Sequence, residues 1–203
     1  MEKTAKPVQA RSQKTREKLL LAALEMYAQK GYHSTKVDEI AAKAGVSTGI
    51  AYRYFRNKKD ILLSAIQYGA DNIVSMANIG DMSIPENVTD LKAALISVLK
   101  SFEQFHIKYR EIHEELEGLQ HTDEDVRKLY SDISAKKMDN VINKLAAVLD
   151  DKCNIRERAY AAIGIMEQHC HMMMNNEMYG FEADVMRSLT VDAVIAVLNG
   201  GVK

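Results

Sequence analysis

Residues 40–63 read IAAKAGVSTGIAYRYFRNKKDILL. The pattern is a short helix, a turn at Gly45, a second short helix, and the start of a third. Gly45 suits a turn that needs a positive φ, because it has no Cβ to clash. Ser47 is placed to cap the helix that follows. That helix opens with small, hydroxyl and tyrosine side chains and no carboxylate. A helix entering the major groove of DNA needs such a surface.

Working back from this stretch, Leu20, Ala23, Leu24 and Tyr27 recur at helical spacing. They predict helix 1 over Ser12–Lys30, stopped by Gly31. Thr35 and Asp38 fit a capping box for helix 2, Lys36–Ala44, which buries Val37, Ile40 and Ala41. Helix 3 covers Thr48–Phe55, with Ala51 and Phe55 as core alongside Ile40 and Val46. Residues 1–11 are basic and polar, and Pro7 argues against helix there. They are expected to form a flexible basic arm.

Working forward, Asn57 or Lys58 opens helix 4, expected to reach Asn78. The looser run IGDMSIPENVTD, residues 79–90, follows. Helix 5 is expected over Thr89–Phe105 and helix 6 over Tyr109–Leu119, with a break near Ile107 and a stop at Gly118. Helix 7 starts after Thr122 and runs to about Leu149, with Thr122 and Asp125 as its capping box. Helix 8 covers Ile155–Tyr179, stopped by Gly180, and helix 9 covers Glu182–Leu198. Two prolines and ten glycines in 203 residues leave few breaks. The fold class is all-α, with about nine helices. The expected organisation is a three-helix DNA-binding head over residues 12–57 and a larger helical domain over residues 58–203.

Charge separates the ends. Residues 1–60 carry thirteen Lys and Arg against six Asp and Glu, a net of +7, and the remainder carries −8. A polyanion partner is therefore expected for the first sixty residues only. Two cysteines, Cys153 and Cys170, make no disulfide framework, and a reduced, cytoplasmic setting is expected. No apolar run approaches the roughly 20 residues that span a bilayer, so no membrane partner is expected. There is no glycine-rich phosphate loop, paired-cysteine zinc site or nucleophile elbow, so the chain is not expected to be an enzyme, and no cofactor is expected.

The chemistry of the head can be assigned residue by residue. Ser47 caps helix 3 and can donate to a phosphate. Thr48 can reach a base edge or phosphate, and Gly49 lets the backbone come close. Ile50 can touch a thymine methyl, and Tyr52 and Tyr54 can donate to phosphates. Arg53 can read guanine or bind phosphate. Lys58, at a helix N-terminus, suits a phosphate. Thr35 and Lys36 can clamp the backbone across the groove.

The residues from Gly31 to Leu63 resemble the tetracycline-repressor (TetR) family of bacterial transcription regulators. Gly31 with its aromatic neighbour, Thr35, Val37, Ile40-Ala41, Ala44-Gly45-Val46-Ser47, Gly49, Tyr52, Tyr54-Phe55 and Lys58 carry the resemblance, with Ile61-Leu62 beyond. It implies DNA contacts at Thr35, Lys36, Ser47, Thr48, Gly49, Tyr52, Tyr54 and Lys58. Ala51 stands where relatives often have a larger apolar residue. The resemblance also implies that residues 58–203 are a ligand-binding and dimerisation domain, and it favours a repressor released from a palindromic double-stranded DNA operator by a small-molecule effector, working as a homodimer.

Helices 8 and 9 offer the candidate dimer surface: Ala159, Ile163, Met166, Cys170 and Met173 on one, Phe181, Val185, Leu189, Ala193 and Ala196 on the other, widened by Met186, Val194 and Val197. The alternative is that these faces close the protomer's own core. Candidate effector residues are Phe102, Phe105, His106, Tyr109, His113, Leu116, Glu117, Tyr130, Met138, Met166, His169 and Met173. The run MEQHCHMMMNNEM, residues 166–178, places Glu167, His169, Cys170 and His171 together. Soft ligands of this kind would suit copper(I) or zinc, which leaves a metal-responsive repressor as an alternative. Methionine as a flexible core filler is the plainer explanation. Control by a protein partner is a further alternative.

Overall fold

The computed structural model describes residues 5–73, 88–149, 152–175 and 180–200, and the described residues are helical with turns between. The chain packs as two compact units: residues 1–73 with 109–130, and residues 74–108 with 131–203.

The first unit holds α1 (Ala5–Ser34), α2 (Val37–Lys43), α3 (Thr48–Tyr54), α4 (Lys58–Tyr68) and α6 (Arg110–Thr122). It also takes the first turns of α7 (Glu124–Val148). A π-helical turn, Gly69–Ile73, follows α4. The expected Asn78 end of helix 4 lies outside the described residues, and the α-helical part stops at Tyr68. Helix 1 begins at Ala5 rather than Ser12, so residues 5–11 are helical and not an arm. Pro7 sits in the first turn, where its missing N–H would have had no intrahelical partner.

Gly31 breaks α1 with φ 76°. Gly45 has φ 72° and makes the turn between α2 and α3. Leu19, Leu20, Ala23 and Tyr27 lie on one face of α1, and each is fully buried. They meet Ile40 and Ala41 of α2, Ala51 and Phe55, and Ile61, Leu62 and Ala65 of α4. Each large side chain so buried contributes about 1.5–3 kcal/mol by leaving water. Ile112 and Leu116 of α6 and Val126 of α7 complete the same core. Packing therefore draws Lys58–Tyr68 and residues 109–130 into the unit that holds the helix-turn-helix. The expected boundary at residue 57 falls at the N-cap of α4, inside this unit.

Three caps differ from expectation. The N-cap of α2 is Lys36, whose backbone N–H donates to the Glu39 carboxylate at 2.8 Å. The Thr35 hydroxyl instead donates back to the Gly31 carbonyl at 2.6 Å. At α7, Asp123 rather than Thr122 accepts from the N–H groups of Asp125 and Val126, at 3.0 and 3.2 Å. A carboxylate at this position also favours the positive end of the helix dipole. Helix α6 runs through Gly118 and ends at Thr122, because nothing at Gly118 imposes a positive φ.

The second unit holds α5 (Val88–Lys108), the rest of α7, α8 (Ile155–Met174) and α9 (Ala183–Leu198). The break after α5 falls at Tyr109 rather than at Ile107. The expected end of helix 8 at Tyr179 lies outside the described residues. Leu95, Leu99, Met138, Leu145, Ala162, Met166, Cys170, Val191, Val194 and Leu198 form this unit's core. Ala159, Met166, Cys170 and Met173 are thus spent inside the protomer, which corrects the α8 half of the expected dimer surface. On α9, Val185 is 57% exposed and Leu189 60%. Ala193 and Ala196 continue that outward face.

The second unit also buries a polar network. Glu103 of α5 accepts from Arg187 of α9 through both carboxylate oxygens, at 2.8–2.9 Å. His169 of α8 lies 2.7 Å from Glu103 through Nε2 and 2.8 Å from the Thr190 hydroxyl through Nδ1. A neutral ring donating to Glu103 and accepting from Thr190 satisfies every partner. No described helix is long and apolar enough to cross a membrane.

Candidate nucleic-acid interface

Helix α3 is held from below. Ala51 is fully buried and Phe55 nearly so, which fixes one side of the helix on the core. The small Ala51 suits this close approach to the head. Opposite them, Tyr52 is 53% exposed and Arg53 is exposed. The helix starts at a Ser47 cap whose hydroxyl accepts from the Ile50 N–H at 3.4 Å. Gly49 is exposed, and a Cβ added there would meet only the Ser47 hydroxyl, at 4.0 Å. Thr48 and Ile50 are half-buried beside it. A partner's backbone can therefore approach the first turn of α3 without obstruction.

Tyr54 is half-buried, and its phenol oxygen lies 3.2 Å from the Ser12 hydroxyl of α1. Sequence reasoning missed Ser12, since nothing local marks a contact across 42 residues. Arg16 of α1 lies over the Phe55 ring, 5.3 Å from its centroid.

Lys58 is the best anchored of the expected phosphate contacts. Its ammonium donates to the His33 carbonyl at 3.0 Å and sits 4.4 Å from the Tyr32 ring centroid. Burial pushes its pKa below the ordinary lysine value, and the Glu115 and Glu39 carboxylates act against that. Thr35 is the expected contact that the structure removes: it is fully buried, with its hydroxyl committed to Gly31. Lys36 is exposed at the start of α2. Beside it, Glu39 pairs with Lys30 at 2.6 Å, and hydrogen bonds from Lys30 and Lys36 hold its pKa below the usual carboxylate range.

The segment containing this surface, residues 19–65, matches the family model of bacterial regulatory proteins, tetR family. Over these residues the chain carries the amino-terminal DNA-binding segment of the tetR family.

Known transcriptional regulators resemble longer stretches of the chain. The HTH-type transcriptional activator FasR of Mycolicibacterium smegmatis is 35% identical over 99 residues, covering 49% of this chain and 45% of FasR. The chain thus spans less than half of that curated relative. A TetR-family transcriptional regulator from Streptomyces coelicolor shares the fold, with TM-score 0.69 over 91% of this chain and 80% of that one, at 17% identity. FadR from Bacillus subtilis, solved in complex with stearoyl-CoA, gives TM-score 0.60 over 92% and 99% of the two chains, at 21% identity. At these identities the two structural likenesses are ones of fold.

The expected effector residues divide between the units. Tyr109, His113, Leu116, Glu117 and Tyr130 belong to the first, where Leu116 is spent in the core of the head. Phe102, Phe105, His106, Met138, Met166, His169 and Met173 belong to the second. There, His106 is buried, donates through Nδ1 to the Phe102 carbonyl at 2.8 Å, and lies 5.8 Å ring to ring from His171. His169 is fully buried with both ring nitrogens engaged, so it is a structural residue rather than an effector contact.

The α8 metal set is not brought together. Glu167 is exposed, while His169 and Cys170 face the core and His171 is half-buried. Burial pushes the Cys170 thiol up to about 12, with the Glu103 and Glu167 carboxylates adding to the effect. A thiol so raised stays protonated at neutral pH and is a poor metal ligand.

Proposed function

We propose that the chain is a DNA-binding transcriptional regulator, acting as a repressor that a small-molecule effector releases from its operator. The observation that carries this reading is the outward face of α3. An unobstructed Gly49 and an exposed Tyr52 and Arg53 stand on a helix whose other side is locked by Ala51 and Phe55. Lys36, Ser47, Thr48, Ile50, Tyr54 and Lys58 complete the proposed contacts. Ser47, Tyr52, Tyr54 and Lys58 reach phosphates, and Thr48, Ile50 and Arg53 face base edges.

One α3 helix buries too little for tight specific binding, so the reading includes a homodimer on a palindromic duplex. The outward apolar stripe of Val185, Leu189, Ala193 and Ala196 on α9 supports a symmetric interface there. A cytoplasmic location follows from contact with DNA. An acyl-CoA thioester is the first effector class to try, on the strength of the FadR likeness.

Selection from a random-sequence duplex library tests the reading. The purified chain should enrich a palindrome whose half-sites are spaced by about one helical turn or a multiple of it. Recovery of the input distribution, with no enriched sequence, would overturn it. Stearoyl-CoA should then weaken binding to the enriched duplex. No change in binding or melting temperature would remove the acyl thioester from the proposal.

A further inference from the structure

The corner where α1 ends is built around a carboxylate from a distant part of the sequence. Glu115 of α6 accepts from the backbone N–H of Tyr32 in a short hydrogen bond and from that of His33 at 3.3 Å. The acceptor fits because residue 31 is glycine. A Cβ at Gly31 would lie 2.6 Å from one Glu115 oxygen and 3.0 Å from the other. The positive φ of Gly31 turns the two following N–H groups toward α6. The same two residues hold Lys58 from the other side: His33 supplies the carbonyl that its ammonium binds, and Tyr32 the ring beneath it.

We infer that Glu115 is a positioning residue for DNA binding. It fixes the Tyr32–His33 backbone, and that backbone fixes the ammonium of Lys58 for a phosphate. Three facts converge on this role. The carboxylate binds backbone rather than a side chain, so it sets the path of the chain. It is half-buried, where a charged acceptor on two N–H groups counts for more than on the surface. And among the described residues the Lys58 ammonium is held by the two residues that Glu115 holds, apart from longer-range charge. A small shift of α6 along its axis would withdraw the carboxylate and release Lys58, which makes α6 part of the frame of the reading head. The inference rests on the proposal that the chain reads DNA.

A double-mutant cycle tests it, using the full chain and the duplex enriched by the wild type. Lys58→Ala, Glu115→Gln and the double variant are titrated by fluorescence anisotropy over a salt series, with circular dichroism to confirm folding. In the wild-type background, Lys58→Ala should weaken binding and lower the salt slope by about one. In the Glu115→Gln background it should do little more, leaving a coupling of roughly fivefold or greater between the two sites. Glu115→Ala, which removes the carboxylate and leaves the Gly31 backbone unstrained, should reproduce the Glu115→Gln result and serves if that variant folds poorly. Additive effects in folded variants would overturn the role of Glu115 alone. A wild type that enriches no duplex would overturn the DNA-reading proposal, and this inference with it.

Discussion

The ammonium of Lys59 on α4 lies 2.7 Å from the carboxylate of Asp123, the residue that caps α7. The same ammonium reaches Asp125 at 2.7 Å. One lysine therefore ties α4 to the first turn of a helix that begins 65 residues further on. Its pKa is raised, first by the hydrogen bond to Asp123 and then by that to Asp125.

Asp123 should act in both roles at once. Asp123→Ala removes the cap of α7 and one partner of Lys59. Loss of the cap costs about 1 kcal/mol, and the exposed ion pair adds less than that. Asp123→Asn keeps a capping oxygen and should cost less. Urea denaturation of the two variants against wild type checks the order. Equal stabilities would mean that neither the cap nor the charge contributes.

Acid stability should follow the carboxylates. The Lys59 hydrogen bond holds the Asp123 pKa below its ordinary value against a smaller opposing effect of burial. At Glu103 burial is the largest single influence and raises the pKa, but hydrogen bonds from His169 and Arg187 outweigh it, and the net shift is downward. A carboxyl with a lowered folded pKa stabilises the fold above its unfolded value, roughly 3.9 for Asp and 4.3 for Glu. That contribution is lost as pH falls through the folded value. Melting temperature should therefore hold above about pH 5 and drop below about pH 4. Asp123→Asn should drop less steeply. A melting temperature that rises on acidification would contradict the assignment.

The Glu103 network should show an asymmetry. Glu103→Ala leaves Arg187 and the buried His169 without their common acceptor, and breaking such a pair costs about 3–5 kcal/mol. Glu103→Gln keeps one acceptor oxygen and should cost less, although its amide donors then face donors. Chemical denaturation followed by circular dichroism separates the two. Similar small losses in both would show that the network contributes little.

Tyr27 offers the opposite sign. Its ring is fully buried in the head, and among the described residues its hydroxyl has no hydrogen-bond partner. Burial accordingly pushes its pKa up. A buried unsatisfied hydroxyl costs about 1–3 kcal/mol, so Tyr27→Phe should be neutral or stabilising. A clear loss of stability would mean that a water or a side-chain shift satisfies the hydroxyl.

Much of the head was legible because its signals are local. Gly45 and Ser47 act on their neighbours, and Ala51 and Phe55 follow the period of one short helix. Contacts made across long separations were not legible. Glu115 is one of four carboxylates in EIHEELEG, and as sequence it looks like part of a solvated face. Only packing of α6 on the head separates it from Glu114, which pairs locally with Arg110. Thr35 misled for a related reason: Gly31 lifts the chain so that the Thr35 hydroxyl closes the turn, and the cap passes to Lys36. On α8, the spacing of Met166, Cys170 and Met173 marks an apolar face but not which partner covers it. In the structure the protomer's own core covers that face.

The central claim is that α3 reads DNA through the side opposite Ala51 and Phe55. Its most direct test is the affinity of Tyr52→Ala, with Lys58→Ala beside it, for the duplex that the wild type enriches. Tyr52 contributes little to the core, so the variant should melt within a few degrees of wild type. The account predicts binding weakened by roughly tenfold or more, the loss of an interaction worth about 1.4 kcal/mol or greater. Unchanged affinity in both folded variants would contradict it.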